Sequence, residues 1–354
     1  MRQMVLAVRQ LVDKQVVPAA QDLDSAHAHP AALVTALGEL GILGALADPR
    51  YGGLGLDRRT AAMIVEELAR GSAALAAIAL THFLAIEAIG RTAGGERRER
   101  LLPAMTRGET LGAVAVASGV RAVRAGDDWI LDGETPPIDH AAHAGLVLVE
   151  ATAPDGSVWL LVSPDAPGVR VGAPVATLGL RGLDACPVRF ERCRVLSRDR
   201  LGGEDRGARV SATVLALSRL GVAAIGLGLA QAAFEAALRY SQQRTTFGKP
   251  IAQHQAIQLV LAGMATKITA ARLLTYAAAA PDADDASRLI AKVYTSELAY
   301  DVTLDSMRVH GGYGYTSEFP VERYYRDAAR LASTPTPNAA DRAEIARHLA
   351  ALGT

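Results

Sequence analysis

The feature that most constrains the fold is a pair of long apolar runs joined by one polar turn. Residues 215–240 and 253–280 contain no proline, and their small and apolar residues predict two helices that are buried on most faces. The turn, Gln242–Ile251, carries an arginine, two threonines, a glycine and a proline. Backbone N–H groups, hydroxyls and a guanidinium at helix ends suit a phosphate or diphosphate. The turn by itself fits an ordinary helix hairpin equally well.

Helical spacing dominates the first hundred residues. Apolar residues recur at that spacing from Leu6 until Pro18, and residues 31–43, 58–69 and 73–89 repeat the pattern. The Gly-rich segment Tyr51–Gly55 predicts a tight loop, and it is not a dinucleotide fingerprint because no strand precedes it. His82 lies in the most apolar run, where a histidine is more often a hydrogen-bonded core residue than a catalyst.

The periodicity changes at about Leu111. Short β-branched or aromatic runs then alternate with Pro, Asp and Gly turns, which predicts a small antiparallel β-domain ending near Leu201. The predicted strands contain residues 129–133, 146–150, 158–162, 169–171 and 188–191. Helix resumes at about Glu204. The chain therefore divides into a helical domain (1–110), a β-domain (111–203) and a helical bundle (204–354).

Composition excludes several classes of partner. Lys plus Arg and Asp plus Glu number 37 each, without blocks of like charge, so neither nucleic acid nor an anionic membrane is expected. Two cysteines, Cys186 and Cys193, are too few for a disulfide framework or a metal site and indicate a reducing compartment. No signal peptide opens the chain, and its apolar runs look too interrupted to span a bilayer. We therefore expect a soluble, cytoplasmic protein.

Seven segments, in order along nearly the whole chain, resemble motifs of the acyl-CoA dehydrogenase superfamily. They are Leu37–Gly44, Tyr51–Leu56, Glu66–Ala69, Arg244–Ile251, Val309–Tyr315, Phe319–Arg323 and Tyr325–Ala328. The resemblance implies an α+β fold with an N-terminal helical domain, a middle antiparallel β-domain and a C-terminal four-helix bundle. It also implies FAD and α,β-dehydrogenation of an acyl thioester.

The catalytic base of the resembled family is missing. In that family a carboxylate removes the α-proton of the thioester while the β-hydride passes to FAD. The weakly acidic α-proton requires a positioned Glu or Asp. Most members carry it in a Tyr-Glu-Gly-Thr-like loop, where this chain has Pro335, and a minority carry it just before a retained arginine, where Ser218 precedes Arg219. Loss of a positioned base typically costs on the order of 10²–10⁴-fold in rate.

The FAD site implied by the resemblance is half present. In the resembled family one set of residues binds the diphosphate and adenine of FAD, usually across a subunit boundary. The matching residues here are Arg244, Thr246, Phe247, Gln255, Gly311 and Gly312. Arg308 stands where Gln is common. The implied substrate contacts are Arg219, Tyr313 and Gly314. The flavin-ring segments depart from the family, because loop 116–121 is shortened, Pro137 replaces a Trp, and Asp139 replaces a hydroxyl. FAD is therefore expected to be weakly held, shared with a partner subunit or absent.

Three acidic or imidazole side chains are weak candidates for a replacement base. Asp139 and His140, with His143 nearby, could do acid–base work, although a solvated loop after two prolines is the alternative. No third ligand at a recognisable spacing supports a metal site there. Asp341 lies on the last helix, capped by Asn338, within two turns of Pro335.

Two other acidic residues fall within motifs that match the family. They are Glu322 and Asp327, which we expect to be structural partners of Arg323 and Arg326.

Three functions follow from these observations. The first is an acyl-CoA dehydrogenase-like flavoenzyme with a relocated base. The second is a catalytically silent subunit that completes the FAD site of a heteromeric acyl-CoA dehydrogenase. The third is a homologue repurposed for another reaction on a carrier-bound intermediate. The expected partners are an acyl-CoA or acyl-carrier-protein thioester and either identical subunits, in a dimer or tetramer, or a homologous subunit.

Overall fold

A computed structural model describes residues 2–203 and 207–352. Within these residues the helices are α1 Arg2–Leu11, α2 Val17–Ser25, α3 Ala31–Glu39, α4 Arg58–Gly71, α5 Ala73–Thr92, α6 Gly95–Thr106, α7 Gly207–Gln243, α8 Gln255–Ala278, α9 Asp285–His310, α10 Val321–Ala329 and α11 Asn338–Leu352. The strands are β1 Gly112–Ala115, β2 Arg121–Ala125, β3 Asp128–Glu134, β4 Leu146–Ala153, β5 Gly156–Val162, β6 Val169–Val171, β7 Val188–Val195 and β8 Arg200–Leu201, followed by a ribbon of β9 Thr245–Thr246 and β10 Lys249–Pro250. The predicted order of helical domain, β-domain and helical bundle is confirmed. The predicted start of the third domain, at Glu204, lies outside the described residues.

Apolar residues recur at helical spacing only as far as Pro18, but the helical segment continues beyond it. One turn of π-helix, Val12–Val16, joins α1 to α2, and α2 continues to Ser25. Pro18 lies in the first turn of α2, where a missing N–H group is tolerated. The wider π turn therefore lets the chain carry a proline through an almost continuous helical segment.

The β-domain is one sheet with the strand order β6-β7-β3-β2-β4-β5-β8, and β1 lies beside β4. Most pairs are antiparallel as predicted, whereas β1 and β2 both run parallel to β4. Sequence reasoning missed β1, β2 and β8. These strands have two to five residues, and β2 begins and nearly ends with arginine, so they lack the β-branched runs on which the prediction depended.

Helix α7 is the centre of the molecule. It packs against α4 and α5 of the first domain and against α8, α9 and α10 of the third. Glycines permit the close crossings: a Cβ at Gly228 would lie 2.3 Å from the carbonyl oxygen of Glu66 on α4. A helix buried by so many neighbours explains why the sequence shows small and apolar residues on all its sides.

Among the described residues, three helices are long and apolar enough to cross a membrane, so the expectation that every apolar run is too interrupted is wrong by length and composition. They are α5, α7 and α8, with mean hydropathy of 1.8, 1.8 and 1.3. The apolar windows of α5 and α7 are 89% and 78% buried inside the molecule, which accounts for their composition. The window of α8 is only 17% buried. Most of the apolar surface of α8 is therefore not covered by the rest of the described chain.

Candidate functional site

A cavity of about 330 Å³ lies where the three domains meet. Its walls come from α5, from β1 and the segment after β3, from α7, and from the connection between α10 and α11. The lining residues are Ala77, Leu80, Thr81, Leu84, Val114, Val116, Pro136, Pro137, Ile138, Asp139, Leu180, Ser218, Val222, Ile225, Arg330, Leu331, Ser333, Thr334 and Pro335. Mostly apolar walls with a few polar groups are typical of a small-molecule site.

Both positions where the resembled family would carry its base open into this cavity. Ser218 comes from α7, and Pro335 comes from the loop before α11. Neither side chain can hold a proton taken from carbon at neutral pH. Both positions at which a base is expected therefore line the cavity, but neither of them carries a base.

Asp139 is the one carboxylate among the described residues that line the cavity. It forms an ion pair with the guanidinium of Arg330, which lines the same cavity. The two side chains are 19% and 26% exposed. The weak candidate Asp139 therefore lies in the cavity, but it is bound to a cation.

The other carboxylate candidate, Asp341, does not line the cavity. It is 1% exposed, and its Oδ2 accepts a hydrogen bond from Nζ of Lys292 at 2.6 Å. Its Oδ1 accepts from the hydroxyl of Thr336. The expectation that Asn338 caps α11 is wrong, because its side chain bonds Lys292 and Ser296 on α9 instead. These contacts give Asp341 a structural role, holding the loop that contains Pro335 against α9.

His140 does not line the cavity and belongs to an imidazole cluster. It is fully buried, and its Nδ1 lies 3.1 Å from Nε2 of His29, which precedes α3. The ring of His143 stacks on His29 with centroids 3.7 Å apart, and Nε2 of His143 lies 2.7 Å from Oδ2 of Asp184. The alternative of a solvated loop is therefore wrong for His140. The structure offers no contact through which it could act on a ligand in the cavity.

Burial keeps the inner imidazoles neutral. It lowers the pKa of His140 to about 3, and His29 and His143 reinforce this effect. Burial, followed by the nearby His143, lowers the pKa of His29 to about 4. Within the described part of the chain, no group of three or more His, Cys, Asp and Glu side chains is arranged to hold a metal ion.

The residues matched to the diphosphate grip lie on the surface around the ribbon β9–β10. Arg244, Phe247 and Gln255 are exposed, Phe247 by 96%. Thr246 is half-buried, and its hydroxyl lies 3.2 Å from Nε2 of His254. An exposed arginine and aromatic ring, together with a half-buried hydroxyl, lie just before a 24-residue helix and can hold an anionic group from outside the chain.

The second matched segment also faces solvent. Gly311 and Gly312 are exposed, and a Cβ at either would meet no atom within 4 Å. Arg308 is exposed, and its Nη1 lies 3.0 Å from Oδ1 of Asp305. Tyr313 is 44% exposed. Backbone in open space at these glycines leaves room for a ligand to approach closely.

The implied substrate contacts do not line the cavity. Arg219 is buried, and its Nη2 lies 3.3 Å from Oε2 of Glu344 on α11. Gly314 is buried against α9, where a Cβ would lie 2.3 Å from the carbonyl oxygen of Met307. Gly314 is required for close packing against α9, and Arg219 forms an ion pair with α11. Tyr313 lies at the surface.

Glu322 and Asp327 make structural contacts, as expected, but in the part of the chain that the structure describes only Glu322 of the two forms an ion pair with an arginine. Glu322 pairs with Arg326, which also pairs with Asp24 on α2. Asp327 is fully buried, and its Oδ1 accepts a hydrogen bond of 2.6 Å from the backbone N–H of Leu180. Burial raises the pKa of Asp327 to about 6. These bonds fix α10, and hence Arg330, against the first two domains.

The cavity wall formed by residues 136–139 and 333–335 fits a flavin ring poorly. A flavin's polar edge requires hydrogen-bond partners, but Pro136, Pro137 and Pro335 have no N–H group. The N–H of Ile138 already donates to the carbonyl of Cys186 at 2.9 Å, and the hydroxyl of Ser333 donates to the carbonyl of Arg330. The surface residues around β9–β10 fit a diphosphate, whereas this wall does not fit the ring.

Sequence reasoning missed the partners of the candidate residues. Arg330 was not singled out, because an arginine just beyond a helix end normally faces solvent. His29, Asp184 and Lys292 were also missed, because each lies 41 or more residues from its partner in the chain. The useful signal was the departure from the family pattern at Asp139, since a new charge inside a cavity requires a counter-charge.

Three domain models of one protein family match most of the chain. Models of the acyl-CoA dehydrogenase N-terminal, middle and C-terminal domains match residues 1–109, 105–193 and 205–350. The acryloyl-CoA reductase (NADH) of Anaerotignum propionicum is 32% identical over 90% of this chain and 86% of its own length. The human mitochondrial short-chain specific acyl-CoA dehydrogenase is 32% identical over 96% of this chain and 88% of its own length.

The fold is shared with a solved structure. The butyryl-CoA dehydrogenase of Megasphaera elsdenii superimposes with a TM-score of 0.94 and 28% identity. The match covers 98% of this chain and 97% of that one.

Proposed function

Because this chain belongs to the acyl-CoA dehydrogenase family, we propose that it acts in flavin-linked α,β-dehydrogenation of an acyl thioester as the subunit that completes a partner's FAD site. Members of the family are oligomeric FAD flavoproteins that act on acyl thioesters. The observation that carries the proposal is the cavity into which Ser218 and Pro335 both open without a carboxylate at either position. This chain's own residues would bind and orient the partner's cofactor, and the partner would supply the base.

The surface around β9–β10 supports this role. Arg244, Thr246 and Phe247 precede α8, whose apolar residues Leu259 and Leu273 are 67% and 69% exposed. A partner that covers α8 would therefore be placed beside the anion-binding residues. Arg244 would pair with the diphosphate, and the exposed ring of Phe247 would pack against the rest of the cofactor.

The test is to purify the chain alone and together with a homologous subunit that retains the Glu. We expect a colourless protein alone and a stable yellow complex, and we expect Arg244→Ala to lower the flavin content of the complex about tenfold or more. Arg342→Ala, at an exposed ion pair on α11, is the matched control and should leave the flavin content unchanged. The proposal would be disproved if the chain alone were saturated with bound FAD and active.

A second candidate is a dehydrogenase with a relocated base. It is favoured by one observation, that Asp139 lines the cavity. Under this alternative Asp139→Asn would lower kcat on the order of 10²–10⁴-fold with little change in KM. Under the first proposal the same substitution leaves the activity of the complex unchanged.

We propose a cytoplasmic location on the basis of the cysteines. Cys186 and Cys193 are both free and buried, which suits a reducing compartment.

A further inference from the structure

We infer that the ion pair between Asp139 and Arg330 closes this chain's own cavity to a flavin ring. The inference rests on the proposed function, because it explains why this subunit would serve a partner's cofactor and not hold one itself. It assigns the exclusion to two named side chains.

The pair joins two domains across the cavity. Asp139 follows β3 in the β-domain, and Arg330 follows α10 in the C-terminal domain. A planar ring on this wall would separate the two charges and remove water from both. Leaving a half-buried charge without its partner is unfavourable, and an uncharged ring edge cannot replace the lost interaction.

The backbone on both sides is held in place, so the two residues cannot easily move aside. On one side Ile138 exchanges both backbone hydrogen bonds with Cys186, at 2.9 and 3.1 Å, and the N–H of His140 bonds the carbonyl of Leu183. On the other side Asp327 accepts from the N–H of Leu180 and Arg326 pairs with Asp24. The ion pair therefore connects two fixed supports.

Space in the cavity agrees with the exclusion. Sites for drug-sized ligands span about 300–1,000 Å³, and this cavity of about 330 Å³ is at the lower limit. A tricyclic ring and an acyl chain together would need more room. Opening the cavity would require the ion pair to separate.

A ring-only probe tests the inference without the diphosphate grip. Riboflavin should show no saturable quenching of its fluorescence with the wild-type chain. The double variant Asp139→Ser/Arg330→Leu removes both charges together, so neither is left unpaired, and we expect it to bind riboflavin about tenfold or more tightly than the wild type. The matched control is Glu297→Ser/Arg342→Leu, which removes an exposed ion pair between α9 and α11 and should gain nothing.

Several outcomes would overturn the inference. Saturable riboflavin binding by the wild-type chain would do so even if the double variant failed to fold. So would a folded double variant, with native circular dichroism, that gains no affinity, or a control that gains as much. If riboflavin bound the wild type while Arg244→Ala still removed flavin from the two-subunit complex, only the ion-pair inference would fail.

Discussion

At the scale of single residues, a buried ion pair between Lys292 and Asp341 holds the loop that forms one wall of the cavity. Lys292 has no exposed side-chain surface, and its ammonium group bonds Asp341, Asn338 and the carbonyl of Thr336. Burial lowers the pKa of Lys292, while the bond to Asp341 opposes this shift. Because Lys292 and Asp341 both bond Thr336, which follows Pro335, they fix this part of the loop against α9.

Lys292→Met should therefore destabilise the protein by about 3–5 kcal/mol, because it leaves the carboxylate of Asp341 buried without a cation. Urea unfolding followed by circular dichroism measures the change. The double variant Lys292→Met/Asp341→Leu should recover much of the loss. Equal stability of the single variant and the wild type would show that Asp341 finds another partner.

The imidazole cluster predicts a loss of stability in acid. Burial holds the pKa of His140 at about 3, against about 6.5 in an unfolded chain. Between these values His140 is protonated in the unfolded chain and neutral in the folded chain. Its contribution to the free energy of unfolding is therefore fully present above about pH 6.5 and falls as the pH is lowered. His140 alone should contribute a loss on the order of 3 kcal/mol between pH 7 and pH 4.

Comparing the wild type with His140→Asn isolates this contribution, since Asn tolerates the left-handed backbone there, with φ of 64°. The free energy of unfolding should fall less steeply with pH in the variant. Parallel curves for the two proteins would show that His140 does not carry the effect.

At the scale of elements, the sequence predicted helices well and their environments less well. The long runs from Leu215 and Gln253 gave α7 and α8, because continuous apolar sequence without proline permits little else. The same reasoning treated the two helices alike, whereas α7 is buried and α8 is largely uncovered. Hydropathy does not distinguish a helix that is packed inside its own chain from one whose apolar face the chain leaves exposed. His82, expected in the core, is confirmed there by its bonds to Met105 and Gly112.

The crossing of α7 and α4 depends on a missing side chain. Gly228→Ala would place a Cβ 2.3 Å from the carbonyl oxygen of Glu66, so we expect a loss of about 1–3 kcal/mol although alanine favours helix. Gly90→Ala in α5 is the control, because its Cβ would meet no atom within 4 Å and should stabilise by about 0.5–1 kcal/mol. Thermal or urea unfolding of both variants tests this, and a gain at Gly228 would contradict the close packing.

At the scale of the whole molecule, the chain places its anion-binding residues outside and its cavity inside. The surface of α8 and the ribbon β9–β10 are adjacent in the chain, and both are exposed. The resemblance supplied the fold and the absence of a carboxylate at positions 218 and 335. It did not supply Arg330 or Lys292, because their partners Asp139 and Asp341 are distant from them in the chain.

The uncovered surface of α8 predicts how assembly fails. Leu273→Glu places a charge on a face that we expect to be dry in the complex, so assembly should weaken about tenfold or more. Leu349→Glu on α11, where the leucine is 59% exposed, is the matched control. Size-exclusion chromatography with light scattering reads the result, and unchanged assembly of the Leu273 variant would place the interface elsewhere.

The most direct test of the central claim is anaerobic single-turnover reduction of flavin by acyl-CoA, with this chain supplied with FAD and no partner. Since neither Ser218 nor Pro335 can take the α-proton, we predict no substrate-dependent bleaching of the flavin absorbance. Bleaching should appear once a homologous subunit with its Glu is added. Rapid bleaching by this chain alone, abolished by Asp139→Asn, would contradict the account and establish a relocated base.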